Sequence, residues 1–492
     1  MMKKFPGIWY LVGLVVFLGI FLRVYNIPQT LLFHFDQGYH GLAIRDIWET
    51  KRIALLGHKT DVEGIFHGSF FYYLMLPLYL ISGWNPAGVS SILAVLDGLT
   101  VIFIFLLGKE LFSKQVGILA AGFYTVSYPL ISYSRWLSNV TLIPLFSSLF
   151  FFFLLKSYQE KIYFFPVAAL FVGIVAQLNG AIGFFLVLLL IISLFLLRRK
   201  IFRTKLFFFL TIFLFITPAI PLILFDVRHQ FLVTSSILSL FSRGKTNLGA
   251  GQFLSHFNLF QGEFTNLLSY KLPILAIILF LTVLAALFHG RKTKGGEFKP
   301  VKTLLLFLLV PLLGLLFYPG GIHQFFFIGI LPLLVIFIAW GLIYWMKVKI
   351  LKPAIIVFVL LIVFVNLFYW QGFLKPGFNL IPIGTRNLIT LDDRLEALDF
   401  IYKQAQGEPF QTPIYIIPYN QEQPWDYVFA WYGKKKYGYL PTKYSGKTFV
   451  IYEPDFDFPY RLTSWLGKIE EDHGGVISSF KAHDLIVEER EK

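Results

Sequence analysis

Long uninterrupted runs of apolar residues, separated by short polar turns, make up most of the chain before Trp370. Runs of about 18 or more apolar residues recur, and each is long enough to cross roughly 30 Å of hydrocarbon as a helix. Membrane-spanning strands would alternate apolar and polar positions, which these runs do not. The pattern predicts an all-α polytopic membrane protein with eleven spans, at about residues 8–25, 87–108, 115–133, 139–155, 162–177, 180–197, 205–225, 272–289, 302–318, 322–345 and 353–371.

Basic residues mark every second turn between the predicted spans. Lys3 and Lys4 precede the first apolar run, and Lys or Arg residues also occupy the turns at 109–114, 156–161, 198–205, 291–302 and 347–352. The turns at 177–180 and 318–323 contain none. Because Lys and Arg concentrate in cytoplasmic turns, we expect a cytoplasmic N-terminus, a first helix retained as a signal anchor, and multi-pass insertion in the cell membrane.

Residues 68–83 are apolar enough to suggest a twelfth crossing. A crossing there would move every later basic turn to the outer side, against the charge pattern. The aromatic residues and Pro77 suit a helix that lies in the membrane interface. We therefore predict a juxtamembrane helix at 68–83.

Three segments remain outside the membrane in this topology, and all of them lie on the outer side. They are the loops 26–67 and 226–271, which belong to a transmembrane domain of residues 1–375, and the C-terminal tail of residues 376–492. The tail has mixed charge, a helical pattern at 392–404 and β-rich runs at 413–418 and 448–452. These patterns predict a small extracytoplasmic α/β domain.

Composition supports the membrane interpretation and excludes some chemistry. Hydrophobic residues make up 57% of the chain and charged residues 14%, against about 25% charged in soluble domains. A net charge of +15 could indicate nucleic-acid binding in a soluble protein, but here the basic residues sit at helix ends, so no nucleic-acid partner is expected. Cysteine is absent, which excludes disulfides, thiolate metal sites and a cysteine nucleophile.

Polar groups are crowded in the first outer loop, where Asp36 lies between aromatic residues. A carboxylate that is partly desolvated at a membrane surface suits a general base, if an acceptor hydroxyl lies within reach. The alternative is that Asp36 caps a helix beginning near Tyr39, since Asp is a preferred N-cap residue. Asp46 and Glu49 share a helix face and are expected to form a solvated, charged surface.

Several polar residues at the outer ends of spans could contact a phosphate. Arg135, Arg228 with His229, and His323 are candidates, and the alternative for an outward Arg is snorkelling to lipid phosphate. Asp97 lies inside an apolar run, where an acid is either functional or hydrogen-bonded to a neighbouring helix. No spacing of His, Asp or Glu indicates a metal site.

The order of these features resembles the GT-C superfamily of polyprenyl-phosphate-sugar-dependent glycosyltransferases. The similarity rests on the N-terminal anchor, the acidic first loop, the juxtamembrane helix, and spans that end in Gly108-Lys109-Glu110-Leu111-Phe112 and in Ser127-Tyr128-Pro129 to Tyr133-Ser134-Arg135. Within that superfamily the chain is similar to the branch of protein O-mannosyltransferases and bacterial aminoarabinose transferases. The likeness covers residues 1–200 well and the rest by layout.

The resemblance implies that Asp36 is the catalytic base. This chain departs from the family pattern at four places: Gln37 stands where the family has a second acid, His67-Gly68-Ser69-Phe70 replaces the His-Pro-Pro-Leu pattern, Asn139 falls where an acid follows the Ser-Arg motif, and His323-Gln324-Phe325-Phe326 lacks an Arg. The implied substrate-binding residues are Gln37, Tyr39, His40, His67, Arg135, Asn139, Arg228, His229 and His323. No particular cofactor is implied, and use of a divalent cation is left open.

The implied function is an inverting glycosyltransferase of the cell membrane that passes a sugar from a polyprenyl-phosphate donor to an extracytoplasmic acceptor. Its expected partners are the lipid-linked sugar, membrane lipids and an acceptor of undetermined class. The alternative is a transporter or flippase of lipid-linked sugars, which would place polar groups near the bilayer midplane. The enzyme hypothesis requires Asp36, Arg135, Arg228 and His323 to converge on one cavity that opens away from the cytosol.

Overall fold

The computed structural model describes residues 7–60, 62–159, 161–202, 205–242, 250–292, 298–374, 389–417, 421–442 and 446–491. Lys3, Lys4, parts of the basic turns at 198–205 and 291–302, and the predicted boundary between residues 375 and 376 lie outside the described residues. Helices account for most of the described chain before residue 375. They are α1 (Gly7–Val24), α2 (Ile27–Thr30), α3 (Phe35–Thr50), α4 (Phe70–Ile81), α5 (Pro86–Gly98), α6 (Thr100–Leu111), α7 (Lys114–Val126), α8 (Tyr128–Arg135), α9 (Ile143–Tyr158), α10 (Phe165–Leu178), α11 (Gly180–Ile201), α12 (Lys205–Ile216), α13 (Ile220–Arg228), α14 (Leu232–Ser242), α15 (Ala250–Ser269), α16 (Pro273–Lys292), α17 (Phe298–Leu316), α18 (Leu331–Met346) and α19 (Lys352–Trp370).

Six stretches of the described chain are helices long and apolar enough to cross a membrane, and two bent helix pairs raise the number to eight if each is one span. The multi-pass membrane assignment is therefore confirmed. Three other predicted spans fall on the shorter apolar helices α9, α10 and α18, so the count of eleven stays a prediction. Helix α4 has 12 residues. At 1.5 Å per residue it extends only about 18 Å, which supports an interfacial position over a crossing.

The bend between α7 and α8 brings polar residues towards the centre of the fold. The two helices meet at Ser127 at an angle of 60°, and Pro129 lies in the first turn of α8. Every residue of α8 is buried. The chain continues past Arg135 into residues 136–139, where the Leu137 carbonyl accepts a hydrogen bond from Gln37 of the first loop.

A buried ion pair joins α1 to α5 and α7. The Arg23 Nε atom donates to Asp97 Oδ2 at 2.8 Å, and the Tyr124 hydroxyl donates to Asp97 Oδ1 at 2.8 Å. The remaining Arg23 donors reach the carbonyl oxygens of Gly19, Tyr124 and Thr125. Both side chains of the pair are at most 1% exposed. Asp97 is thus a helix-packing residue, which is the second of the two roles predicted for it.

The first loop is folded rather than extended. It contains α2, α3 and an antiparallel hairpin of β1 (Leu56–Lys59) and β2 (Phe66–Gly68). The second loop, 226–271, contains α14 and α15. Helix α15 bends by 93° into α16.

The described part of the C-terminal tail is a mixed α/β structure. Its strands β3 (Phe410–Gln411), β4 (Ile414–Tyr415), β5 (Lys447–Tyr452), β6 (Gly475–Ala482) and β7 (Leu485–Glu491) form one sheet of order β3-β5-β7-β6, with β4 also paired to β5. Strands β3 and β4 run parallel to β5, whereas β7 is antiparallel to both β5 and β6. The helices are α20 (Leu391–Ala405), α21 (Gln423–Val428), α22 (Lys434–Tyr437) and α23 (Pro459–His473). The predicted helix at 392–404 and the β-rich runs coincide with α20, β4 and β5.

Candidate active site

A cavity of about 490 Å³ lies where the first loop meets the ends of several helices. This volume falls in the range of about 300–1,000 Å³ that is usual for ligand sites. Most lining residues belong to five segments, within 32–40, 58–67, 136–139, 179–184 and 318–326, and the lining also includes Ile237 and Leu240 of α14. Six of the residues predicted for the site line it: Asp36, Gln37, His40, His67, Asn139 and His323.

Helix α3 begins at Phe35, which is earlier than the sequence predicted, and His34 is its N-cap residue. The Gln37 Oε1 atom accepts a hydrogen bond from the His34 backbone N–H at 2.9 Å. Its Nε2 atom donates to the Leu137 carbonyl at 3.3 Å. A carboxylate could accept the first bond but could not donate the second. Gln37 therefore holds the start of α3 against the 136–139 segment, which explains an amide at this position.

Asp36 lies in the first turn of α3 and is half-buried at the cavity wall. The prediction that it caps a helix starting near Tyr39 is wrong, because the cap is His34. Among the described residues that line the cavity, Asp36 is the one carboxylate. The unpaired N–H groups at the start of a helix favour a negative charge there, so the position suits an ionised base.

Histidines are concentrated around the cavity, where five of the ten in the chain contribute to the lining. Burial, and secondly the Arg394 guanidinium, lower the pKa of His34 to about 4. Burial, followed by the nearby His58 and His67, lowers the pKa of His40 to about 3. These two rings are therefore neutral at pH 7. Among the described residues, no three His, Asp or Glu side chains are grouped so as to hold a metal ion.

Lys59 is the one Lys or Arg among the described residues that line the cavity. It ends strand β1 and is exposed. Sequence reasoning missed it, although it lies in an outer loop of the predicted topology, where the charge rule that singled out Arg135 also disfavours a lysine. His34, His58 and Asn179 were missed as well. Asn179 caps α11, since its Oδ1 accepts from the Ile182 N–H at 3.3 Å.

Arg135 does not reach the cavity. Its Nη1 atom donates to the carbonyl oxygens of Arg23 at 2.9 Å and Tyr25 at 2.6 Å, and Nη2 donates to the Thr30 hydroxyl. The guanidinium lies 4.2 Å from the centre of the Phe373 ring. Arg135 therefore holds α8 against the turn between α1 and α2. Its two predicted roles, contact with a substrate phosphate and snorkelling to lipid phosphate, are both wrong.

Arg228 and His229 lie at the exposed end of α13, outside the cavity lining. The His229 ring stacks on Phe225 with 3.9 Å between ring centres. Tyr39 is not a lining residue either, and its ring contacts His58 edge-on at 4.8 Å. The expected convergence of four residues is thus wrong for Arg135 and Arg228, whereas Asp36 and His323 do share the cavity.

The other predicted contacts belong to three separate segments of the chain that line the cavity. Asn139 donates from Nδ2 to the Leu178 carbonyl at 2.5 Å and accepts from the Ser138 hydroxyl at 3.0 Å. His67 lies on β2, and the juxtamembrane helix predicted at 68–83 begins after it, at Phe70. His323 is exposed and stacks on Phe325, with ring centres 5.1 Å apart.

One wall of the cavity continues onto an apolar helix surface. Phe184 lines the cavity and is 44% exposed. Leu188, Ile191 and Phe195 follow it on the same face of α11 and are also exposed. Because α11 is a candidate membrane span, a lipid chain could lie along this face with its head group in the cavity.

The structure is similar to solved glycosyltransferases over its whole length. ArnT from Cupriavidus metallidurans matches in the apo state with a TM-score of 0.59 and 11% identity, covering 98% of this chain and 97% of ArnT. The form bound to undecaprenyl phosphate matches with a TM-score of 0.58 and 10% identity over the same shares. The archaeal oligosaccharyltransferase AglB from Archaeoglobus fulgidus, in complex with an inhibitory peptide and a dolichol-phosphate, matches with a TM-score of 0.50 and 11% identity, covering 99% of this chain and 74% of AglB.

No protein-family model and no curated protein sequence matches this chain. The similarity is therefore one of three-dimensional structure. ArnT and AglB are both GT-C superfamily members, so the GT-C fold predicted from the sequence is confirmed. The structural similarity to ArnT covers 98% of this chain, whereas the resemblance in sequence motifs was confined mainly to residues 1–200.

Proposed function

We propose that this protein is a membrane glycosyltransferase that takes a sugar from a polyprenyl-phosphate donor and transfers it, with inversion, to an acceptor on the extracytoplasmic side. The observation that carries the proposal is the cavity in which Asp36 meets an apolar wall that continues along α11. The solved structures of ArnT with undecaprenyl phosphate and AglB with dolichol-phosphate support a donor of this chemical class.

Asp36 takes the proton from the acceptor hydroxyl as that oxygen attacks the anomeric carbon of the sugar. The bond between the anomeric carbon and the phosphate oxygen breaks, and the lipid phosphate leaves with the electron pair. Attack from the face opposite the phosphate inverts the anomeric centre. Since a phosphate is already a competent leaving group, a protonating acid is not required.

Lys59 and His323 replace Arg135 and Arg228 as the proposed phosphate contacts. Both residues line the cavity, and Lys59 is the one Lys or Arg among its described lining residues. Fixed positive charge near the departing phosphate stabilises the negative charge that develops on it. A lysine serves as a point charge for a phosphate, without the two-pronged contact of an arginine.

Changing Lys59 to methionine is expected to raise the Kd for undecaprenyl phosphate by about 10-fold or more, because a charge-assisted hydrogen bond contributes about 1.5–3 kcal/mol. Lys51→Met is the matched control, since Lys51 is exposed in the same loop but lies over the Trp48 ring and does not line the cavity. Binding is measured by titrating the purified protein with the lipid and following its thermal shift. Equal Kd values for wild type and Lys59→Met would remove Lys59 from the site.

The remaining topology is proposed with the function. The N-terminus lies in the cytoplasm, eleven helices cross the cell membrane, residues 1–375 form the transmembrane domain and residues 376–492 an extracytoplasmic domain.

A transporter or flippase is the alternative function. The chief acid deep in a span, Asp97, is already bonded to Arg23 and Tyr124, so the structure gives that alternative little support.

The proposed function is tested with the purified protein in liposomes that contain polyprenyl-phosphate sugars labelled in the sugar, with envelope extract as the acceptor source. We expect the label to leave the polyprenyl-phosphate sugar for another molecule of the extract, and the freed polyprenyl phosphate to accumulate. Movement of intact labelled lipid across the bilayer without loss of label would support the flippase. Neither transfer nor release with any donor in a panel of hexoses and pentoses would overturn the enzyme.

A further inference from the structure

The C-terminal tail packs against α3, the helix that carries Asp36, and its described residues do not line the cavity. None of the lining residues of the cavity comes from the described part of the tail, 389–417, 421–442 and 446–491. Direct contact with an acceptor in the cavity is therefore not what these residues provide. Their contacts include the segment just before α3, α3 itself and the turn between α4 and α5.

The backbone before α3 pairs with the backbone before α20. The Leu391 N–H donates to the Leu31 carbonyl at 2.8 Å, and Leu32 pairs with Thr390 in an antiparallel bridge. The α20 start is itself fixed by a capping box between Thr390 and Asp393. The extended segment that leads to Asp36 is thus one edge of a short sheet-like contact with the tail.

Arg394 adds a side-chain bond to this segment. It is fully buried, and its Nε atom donates to the Phe33 carbonyl at 2.9 Å. Its Nη2 atom donates to Glu453 at 2.9 Å, and its guanidinium lies 4.8 Å from the centre of the Trp425 ring. A guanidinium held on three sides in this way has little freedom, so the Phe33 carbonyl is held in a defined place.

Two glycines let the tail approach α3 closely. A Cβ atom on Gly38 would come within 2.5 Å of the Pro424 nitrogen, and one on Gly41 within 2.5 Å of the Tyr427 ring. Tyr427 in turn donates to the Trp84 carbonyl at 2.6 Å, in the turn between α4 and α5. The tail is therefore fastened to both α3 and the helical body.

We propose that Arg394 is a positioning residue, through which the C-terminal tail sets the place of Asp36 at the cavity. The inference rests on the proposed function, since it assigns Arg394 a part in the chemistry of Asp36. Phe33 lies three residues before Asp36, so release of its carbonyl lets the first turn of α3 shift. A displacement of a reacting group by about 1 Å can slow a reaction by about 100-fold.

The test uses the full-length protein with Arg394→Met, and with the pair Arg394→Met/Glu453→Gln so that the buried Glu453 carboxylate is not left charged after the loss of the guanidinium. Arg490→Met is the matched control, because Arg490 is also buried in the tail but bonds Glu488 and the Gly474 carbonyl, away from α3. We expect kcat to fall by about 100-fold in both Arg394 variants while KM for the lipid donor is unchanged. Arg490→Met should keep its kcat.

A second readout does not depend on activity. Hydrogen exchange of the backbone amides in a peptide covering residues 31–40 should quicken in the Arg394 variants and stay at the wild-type rate in Arg490→Met. Normal exchange with normal kcat in the Arg394 variants would overturn the proposal, as would a parallel loss of kcat in Arg394→Met and Arg490→Met. If wild type itself transfers no sugar, the proposed function fails, and the exchange comparison alone decides whether the tail holds this segment.

Discussion

Replacing Asp36 with asparagine is expected to lower the rate of sugar transfer by about 10²–10⁴-fold, the usual contribution of a general base. The amide has nearly the shape of the carboxylate but cannot take the proton from the acceptor hydroxyl. The fold should survive, because the loss of one charge in the first turn of a helix costs only about 0.3–1 kcal/mol. Transfer from a labelled polyprenyl-phosphate sugar is measured in membranes that contain the variant and, in parallel, in membranes that contain the wild-type protein.

Asp46→Asn is the control for this experiment, because Asp46 lies on the same helix but is exposed and does not line the cavity. It should transfer sugar at the wild-type rate. Binding of undecaprenyl phosphate should be retained by Asp36→Asn, which separates a lost base from a lost donor site. Wild-type transfer by Asp36→Asn would remove this residue from the mechanism.

Replacing Asp97 with alanine is expected to lower the free energy of unfolding by about 3–5 kcal/mol, the usual cost of breaking a buried ion pair from one side. The change leaves the Arg23 guanidinium buried between helices without its carboxylate, and the Tyr124 hydroxyl without its acceptor. The expected result is a lower unfolding temperature in detergent and a lower yield of folded protein.

Two variants test this explanation. Glu49→Ala breaks the exposed Arg45–Glu49 pair, whose partners are 24% and 57% exposed, and should change stability by less than about 1 kcal/mol. The double variant Arg23→Met/Asp97→Leu removes both buried charges and should recover much of the loss. An Asp97→Ala protein as stable as wild type would show that the pair does not hold α1 in place.

Asp36 and Arg135 illustrate what could be predicted about the site. Asp36 lines a cavity, as the enzyme hypothesis required, although its local surroundings in the sequence left a helix-cap role open as well. The sequence misplaced Arg135, since the side of the helix on which that residue lies depends on the direction of the 60° bend at Ser127. Pro129 makes a bend visible in the sequence, but its direction comes from the helices packed around α8.

Gln37 is a second residue whose role could not be predicted from the sequence. When only the family motif is considered, the Gln37 amide stands in the place of the second acid and suggests that a function has been lost. Its partner, the Leu137 carbonyl, is 100 residues away in the sequence, and only that contact explains why a donor is needed. Lys59 is one of four Lys or Arg residues in the first loop, and only its place in the cavity lining distinguishes it from the other three.

The sequence by itself determined that the chain is a multi-pass membrane protein, because the length of an apolar run and the charges at its ends act locally. It also located the helix α20 and the strands β4 and β5 of the tail, whose patterns are equally local. Only the tertiary structure decided which polar groups meet. Arg394 reaches the Phe33 carbonyl across 361 residues of chain, and contacts between such distant residues arise from the packing of the whole molecule.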